Sequence, residues 1–197
     1  MISNNYSNRL FGRTRGRSKK KIDLKKYHQI VDKYKFQNCD KKINYILDIG
    51  TGYGETSIFL ANQFLDKVVI SCEKYIDGNI NLLKDIKIKK IQNINLHPGN
   101  VHEILDNNPK KKYFGLVWIF FPDPWPKKKH FKRRLVCNDF LKKIYNFMKL
   151  NGEIHIVTDS ESYIKFILNT IHDCRDLFKW SNQNQSHLDL KDFYNLE

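Results

Sequence analysis

The sequence is poor in cysteine, proline and glycine, and the places where these few residues fall carry most of its information. Its four cysteines (Cys39, Cys72, Cys137, Cys174) are widely spaced and form no C-x-x-C pair, so zinc-ribbon and disulfide-framework folds have little support and no metal is expected. They read as the reduced thiols of a cytoplasmic protein. No apolar run approaches 18 residues, so no membrane-spanning helix is expected. The N-terminus lacks the apolar core of a secretory signal. There is no G-K-[ST], which excludes a P-loop.

Acidic residues are missing from two stretches in particular. Residues 1–26 hold nine Lys or Arg and the single acid Asp23, and residues 127–134 (KKKHFKRR) hold six and no acid. These two stretches account for the whole net charge of +14, and the remaining residues balance to zero. A neutral globule with two cationic elements is the pattern of a protein that grips a polyanion at a defined place. The chain has 28 lysines and only 7 arginines, yet six of the seven (Arg9, Arg13, Arg15, Arg17, Arg133, Arg134) lie in these elements. Arginine is the better residue for forked phosphate contacts. An Arg-rich, acid-poor leader also fits an organellar transit peptide, but Gly12 and Gly16 weaken the amphipathic helix that such a peptide needs. An RNA-contacting arm is the preferred reading.

At 41% hydrophobic residues the chain can bury a core. A polar helical stretch over 25–35 is followed by apolar strands over 45–49, 68–72, 93–97, 115–121 (GLVWIFF) and 153–158. Helical patterns over 55–65, 75–90, 101–105, 136–149 and 161–172 alternate with them. In the helix over 136–149, Phe140, Leu141, Ile144 and Met148 share one side, and Asn151-Gly152 is its expected stop. The alternation predicts an α/β fold with a Rossmann-like, doubly wound, mostly parallel sheet. It is one domain over residues 27–197, preceded by the basic arm of residues 1–26.

Three of the nine glycines sit in Asp48-Ile-Gly50-Thr-Gly52-Tyr-Gly54, where the first strand meets the first helix. Glycine there lets the backbone approach a ligand closely. A dinucleotide fingerprint G-x-G-x-x-G needs glycine at position 55, and the chain has Glu55, whose carboxylate would repel a pyrophosphate. Asp48 suits a cationic ligand such as a sulfonium bearing an amino group. Glu73 ends the second strand, where an acid bonds ribose hydroxyls, and Asn100 follows the third strand in reach of an adenine edge. Together these residues read as an S-adenosylmethionine site of the class I methyltransferase type.

Three of the five prolines fall within Phe121-Pro-Asp-Pro-Trp-Pro126. Prolines so spaced fix φ and are expected to hold the intervening residues extended, with Asp123 stiffly presented at the mouth of the sheet. Trp125 reads equally as a stacking partner for a base or as a packed hinge residue. The stretch FPDPWPKKKHFKRR resembles the signature of the tRNA (guanine-N7-)-methyltransferase family. GTGYGE with Asp48, Glu73, Thr158-Asp159 and the arm from Arg9 to Arg17 match that family in order and approximate spacing.

The resemblance covers roughly residues 9–180. It implies methyl transfer from S-adenosylmethionine to N7 of the variable-loop guanosine at position 46 of tRNA. By that likeness Asp48, Gly50, Gly52, Glu73, Asn100 and Asp123 line the cofactor site, and Asp123 is also the active-site acid. Lys127, Lys129, His130, Lys132, Arg133, Arg134, Thr158 and Asp159 meet the RNA substrate. The partner is tRNA, no membrane is involved, and the protein is a monomer or homodimer. Two departures stand out. The family usually has an acid where this chain has Asn100, and the family's T-x-[FY]-E motif has no counterpart near Asp192-Phe-Tyr-Asn-Leu-Glu197, which implies a shortened or diverged C-terminal part. The alternatives are a methyltransferase for another nucleic acid and a non-catalytic RNA-binding protein on the same scaffold. The N6-adenine enzymes carry [DN]-P-P-[YFW], an order that Asp123-Pro-Trp-Pro does not have.

Overall fold

Val117, Trp118 and Ile119 follow one another in sequence and are 0, 2 and 0% exposed. Only a strand covered on both faces buries three successive residues. In the computed structural model, which describes residues 24–181, that strand is β4 (Phe114–Phe120). It lies in a sheet of order β3-β2-β1-β4-β5, with β1 at Tyr45–Ile49, β2 at Val68–Cys72, β3 at Ile94–His97 and β5 at Met148–Val157. All four pairings are parallel, as the alternating pattern predicts. The strand order reverses between β1 and β4, and doubly wound sheets bind ligands in the crevice at the carboxyl ends of the strands at such a point.

Alternation along each strand sorts side chains into two cores. Leu47, Ile49, Ile70, Val117 and Ile119 face α4 (Val101–Asn107), α5 (Asn138–Tyr145) and α6 (Glu161–Asp173). Ile46, Val69 and Trp118 face α1 (Leu24–Val31), α2 (Glu55–Gln63) and α3 (Ile76–Lys89). Helix α3 has Asp77 in its first turn and Lys87 and Lys89 in its last, in line with its macrodipole, and stops where Lys90 turns left-handed at φ 54°. Residues 1–23 of the expected arm and 182–197 of the tail lie outside the described residues. Among the described residues, no helix is long and apolar enough to cross a membrane.

The helix expected over 136–149 requires correction. It ends at Tyr145, and Met148 opens β5 instead. The carbonyl of Phe147 accepts the N–H of Tyr113 at 2.7 Å and of Phe114 at 2.9 Å, and Met148 pairs with Phe114. Strand pairing with both side chains buried outweighs the helical spacing. Asn151-Gly152 therefore stops no helix. It lies inside β5, where Asn151 takes φ 57° and the register shifts between the Phe114 and Leu116 pairings.

Phe140, 1% exposed, anchors α5 in the core. Phe140→Ala is expected to lower the unfolding free energy by about 3–5 kcal/mol in urea titrations. Leu168→Ala, at a 42%-exposed position of α6, should change it by less than about 0.5 kcal/mol.

Candidate active site

The carboxyl ends of β1, β2, β4 and β5 carry nearly every residue singled out from the sequence. The turn after β1 has Gly50 at φ 77°, Gly52 at φ 57° and Gly54 at φ 94°, all in the left-handed region. The Gly50 N–H donates to the Cys72 carbonyl at 2.9 Å, so the turn is fastened to the tip of β2. A Cβ added at Gly50 or Gly52 would meet nothing within 4 Å, so the exposed side of the turn borders open space. Its inner side is closed, because a Cβ on Gly78 in the first turn of α3 would come within 1.9 Å of the Gly52 carbonyl oxygen.

Glu73 binds the turn to the start of α3. One carboxylate oxygen accepts the Gly52 N–H at 3.0 Å and the other the Tyr75 N–H at 2.8 Å. Each oxygen keeps a second lone pair. Asp48 points inward. It is 1% exposed, and its Oδ2 accepts the hydroxyls of Thr56 at 2.6 Å and Ser57 at 2.7 Å. Burial drives its carboxyl up to about 6, the two hydroxyls work against that rise, and the Glu73 charge adds to it. Asn100 caps α4, its Oδ1 accepting the His102 N–H at 3.0 Å. An adenine amino group would have to share that oxygen with the cap.

Across the switch point, the Phe121 N–H donates to the Val157 carbonyl at 2.8 Å, which ties the end of β4 to the end of β5. Asp123 and Asp159 each follow those anchor residues by two positions, and both are exposed. Thr158 uses its hydroxyl to accept the Ser160 N–H at 3.2 Å. The expectation that the prolines hold the residues between them extended fails at Trp125, whose φ is 44°, and Phe121, before the first proline, has φ 49°. Left-handed backbone at a bulky residue costs about 1–3 kcal/mol. The bend at Trp125 turns the chain into a 3-10 helix, Lys128–Arg133, and sets the indole against the Arg133 guanidinium at 5.0 Å and the His130 ring at 5.8 Å.

The basic segment is of two kinds. Lys127, Lys129 and Lys132 are exposed, and His130 and Arg133 are half-buried. Partial desolvation, and then the cations Arg133, Lys129 and Lys127, hold the His130 imidazole below its usual range. Arg134 does not belong to the RNA-facing set in which its place in the cationic run puts it. It is 3% exposed, and its guanidinium donates to the Pro124 carbonyl at 2.8 Å and to the Ser162 carbonyl and hydroxyl at 3.2 Å. Its charge lies over the rings of Phe131 at 3.8 Å, Tyr163 at 4.8 Å and Phe166 at 4.9 Å. A phosphate cannot reach it there.

Other residues of the site leave no clear mark in the sequence. Tyr53 and Tyr75 stand beside the glycine turn with hydroxyls 3.2 Å apart and rings edge to face. Phe121 is 54% exposed although it closes the apolar run of β4. Pro122 is the one available signal, because a residue before proline is barred from ordinary helical backbone.

A protein family described as "Putative methyltransferase" matches residues 42–195. Over 169 residues the chain is 34% identical to the tRNA (guanine-N(7)-)-methyltransferase of Wolbachia pipientis wMel, covering 82% of this chain and 75% of that one. The chain belongs to the tRNA (guanine-N7-)-methyltransferase family. It is 40% identical over 139 residues to the tRNA (guanine-N(7)-)-methyltransferase of Buchnera aphidicola subsp. Acyrthosiphon pisum (strain Tuc7), covering 71% of this chain but 58% of that relative's length. The scaffold of this family member also resembles the crystal structure of precorrin-6y C5,15-methyltransferase from Geobacter metallireducens GS-15, with TM-score 0.52, 16% identity and 80% and 75% of the two chains covered. That likeness is one of fold.

The residues around the turn suit an S-adenosyl group. Gly50 and Gly52 border open space, Glu73 presents carboxylate lone pairs for a vicinal diol, and the buried Asp48 supplies negative charge behind the turn. Asp48 also makes a separable prediction for stability. Its carboxyl titrates near its ordinary 3.8 when unfolded and near about 6 when folded, so the native state holds the proton more tightly. The stability it contributes is complete below about pH 4 and is lost as pH rises through about 6, a change of about 3 kcal/mol. Between pH 4 and 7, urea titrations should show Asp48→Asn gaining on the parent protein by up to that amount. A constant difference across this window would refute the assignment.

Proposed function

We propose that this chain transfers a methyl group from S-adenosylmethionine to N7 of a guanosine in tRNA, at position 46 of the variable loop. S-adenosylmethionine supplies an electrophilic methyl group on a sulfonium. The carrying observation is the meeting, at the carboxyl ends of neighbouring strands, of a glycine turn braced by Glu73 with Asp123 and the exposed lysines that follow it. Gly50 and Gly52 admit the ligand close to the backbone, Glu73 accepts from ribose hydroxyls, and Asn100 serves the adenine amino group. Asp48 fixes the start of α2 through Thr56 and Ser57 and sets a negative potential under the positive end of the ligand.

Guanine N7 is nucleophilic without losing a proton, so the reaction needs no general base. Its barrier falls by in-line positioning and by stabilising the charge that develops on the ring. Asp123 does both if it accepts the guanine N1–H and N2–H₂ groups, because the base becomes cationic as the methyl arrives. Asp159 and Thr158 border the same opening from β5. Lys127, Lys129 and Lys132, with His130 and Arg133 at the rim, draw the RNA backbone toward the opening. A guanine in tertiary pairing must first be exposed, at a few kcal/mol.

Unmodified tRNA transcripts incubated with labelled S-adenosylmethionine should acquire one N7-methylguanosine, detected by chain cleavage at that base. Asp123→Ala should reduce the rate about 100-fold or more. Label on adenine, or none with the parent protein, would refute the reading. The two kinds of basic residue also separate. Replacing Lys127, Lys129 and Lys132 by Gln should weaken tRNA binding and flatten its dependence on log salt by roughly 0.7–0.9 for each phosphate that is no longer neutralised. Arg134→Ala should leave that slope unchanged and cost about 1–3 kcal/mol of stability in thermal unfolding.

A further inference from the structure

Along β4 the side chains alternate between the two cores. Trp118 and Phe120 face α2, while Val117 and Ile119, both 0% exposed, face α5 and α6. A straight continuation would bury Phe121 next in the row of Val117 and Ile119. Instead its φ of 49° breaks the alternation at the last residue before Pro122 and leaves the ring 54% exposed. The backbone there is not loose, because the Phe121 N–H is held by the Val157 carbonyl at 2.8 Å. The ring meets that of Phe120 edge to face, with centroids 6.4 Å apart and planes at 86°, and more than half of the residue faces solvent. An apolar ring is thus kept out of an adjacent core by strained but well-anchored backbone, two residues from Asp123. Strain of this kind, maintained by the surrounding structure, concentrates where a ligand is handled.

The other aromatic flanking Asp123 is already engaged. Trp125, two residues on the far side and equally strained at φ 44°, packs on Arg133 and His130. We propose that Phe121, not Trp125, is the platform on which the target base stacks while Asp123 holds its hydrogen-bonding edge. The proposal rests on the methyltransferase reading above and names the residue that orients the base plane. An exposed aromatic face and an adjacent carboxylate acceptor suit a purine that bears N–H donors on its edge. Trp125 then stiffens the basic segment and does not touch the base.

The test compares Phe121→Ala, Phe121→Leu and Phe121→Tyr in single-turnover methylation of tRNA, alongside cofactor titration and thermal unfolding. The parent protein must methylate tRNA at N7 for the experiment to address stacking. If it does not, the functional reading itself fails. With an active parent, Phe121→Ala and Phe121→Leu should lower kcat/KM for tRNA about 5- to 150-fold, the range for removing one aromatic–base stack. Phe121→Tyr should restore it to within about threefold, because its ring keeps a π face. Cofactor affinity and Tm should not fall in any of the three, since the ring is exposed and its backbone strained. Unchanged kcat/KM in Phe121→Ala would overturn the proposal. So would equal activity of the Leu and Tyr variants, or a loss of activity that follows a lowered Tm.

Discussion

Everything at the mouth of this sheet depends on β4 being pinned between two parallel neighbours. Its residues pair with β1 from Tyr45 to Ile49 and with β5 from Met148 to Val157. That double pairing buries Val117, Trp118 and Ile119 and leaves the chain no freedom until Phe121. The last rung is the Phe121 amide on the Val157 carbonyl. Beyond it Asp123 is displayed from a fixed base, and the opposite wall is the glycine turn that leaves β1, the strand on the other side of β4. The distance across the site is therefore set by sheet geometry, with neighbouring strands about 4.8 Å apart.

The two acids of the glycine side divide the work by depth. Asp48 is buried, so its charge is expensive and its hydroxyl partners Thr56 and Ser57 compensate only in part. Glu73 is half-buried and spends its carboxylate on backbone amides of the turn and of the approach to α3. One acid stores electrostatic potential, and the other fixes shape while retaining lone pairs for a ligand. Gly78 couples them mechanically, because α3 can approach the turn so closely only without a side chain at that point.

The fold and the carboxyl-edge location of the site were legible in the sequence because both follow from local rules. Apolar runs, helical spacing and glycines after the first strand are all nearest-neighbour signals. What escaped was decided by long-range pairing. Met148 has helical spacing from Ile144 yet belongs to β5, because Phe114 is there as its partner. Arg134 stands in a run of cations like its neighbours, and only the arrival of α6, with Ser162, Tyr163 and Phe166, takes it out of solvent. The outward turn of Phe121 is likewise invisible in GLVWIFF, where periodicity cannot say which apolar residue leaves the core.

Arg134 shows that the cations of one short segment are not interchangeable. The chain has 28 lysines to 7 arginines, and where a cation is exposed, exchanging arginine for lysine keeps its charge. At position 134 such an exchange would strand a compact ammonium among Phe131, Tyr163 and Phe166. It could not satisfy in one plane the Pro124 carbonyl and the two oxygens of Ser162. The exposed cations of the same segment need only charge, whereas this position needs a planar fork. A lysine-rich composition and a buried arginine are thus compatible within one short segment, because one side of it answers to solvent and the other to a packed interior.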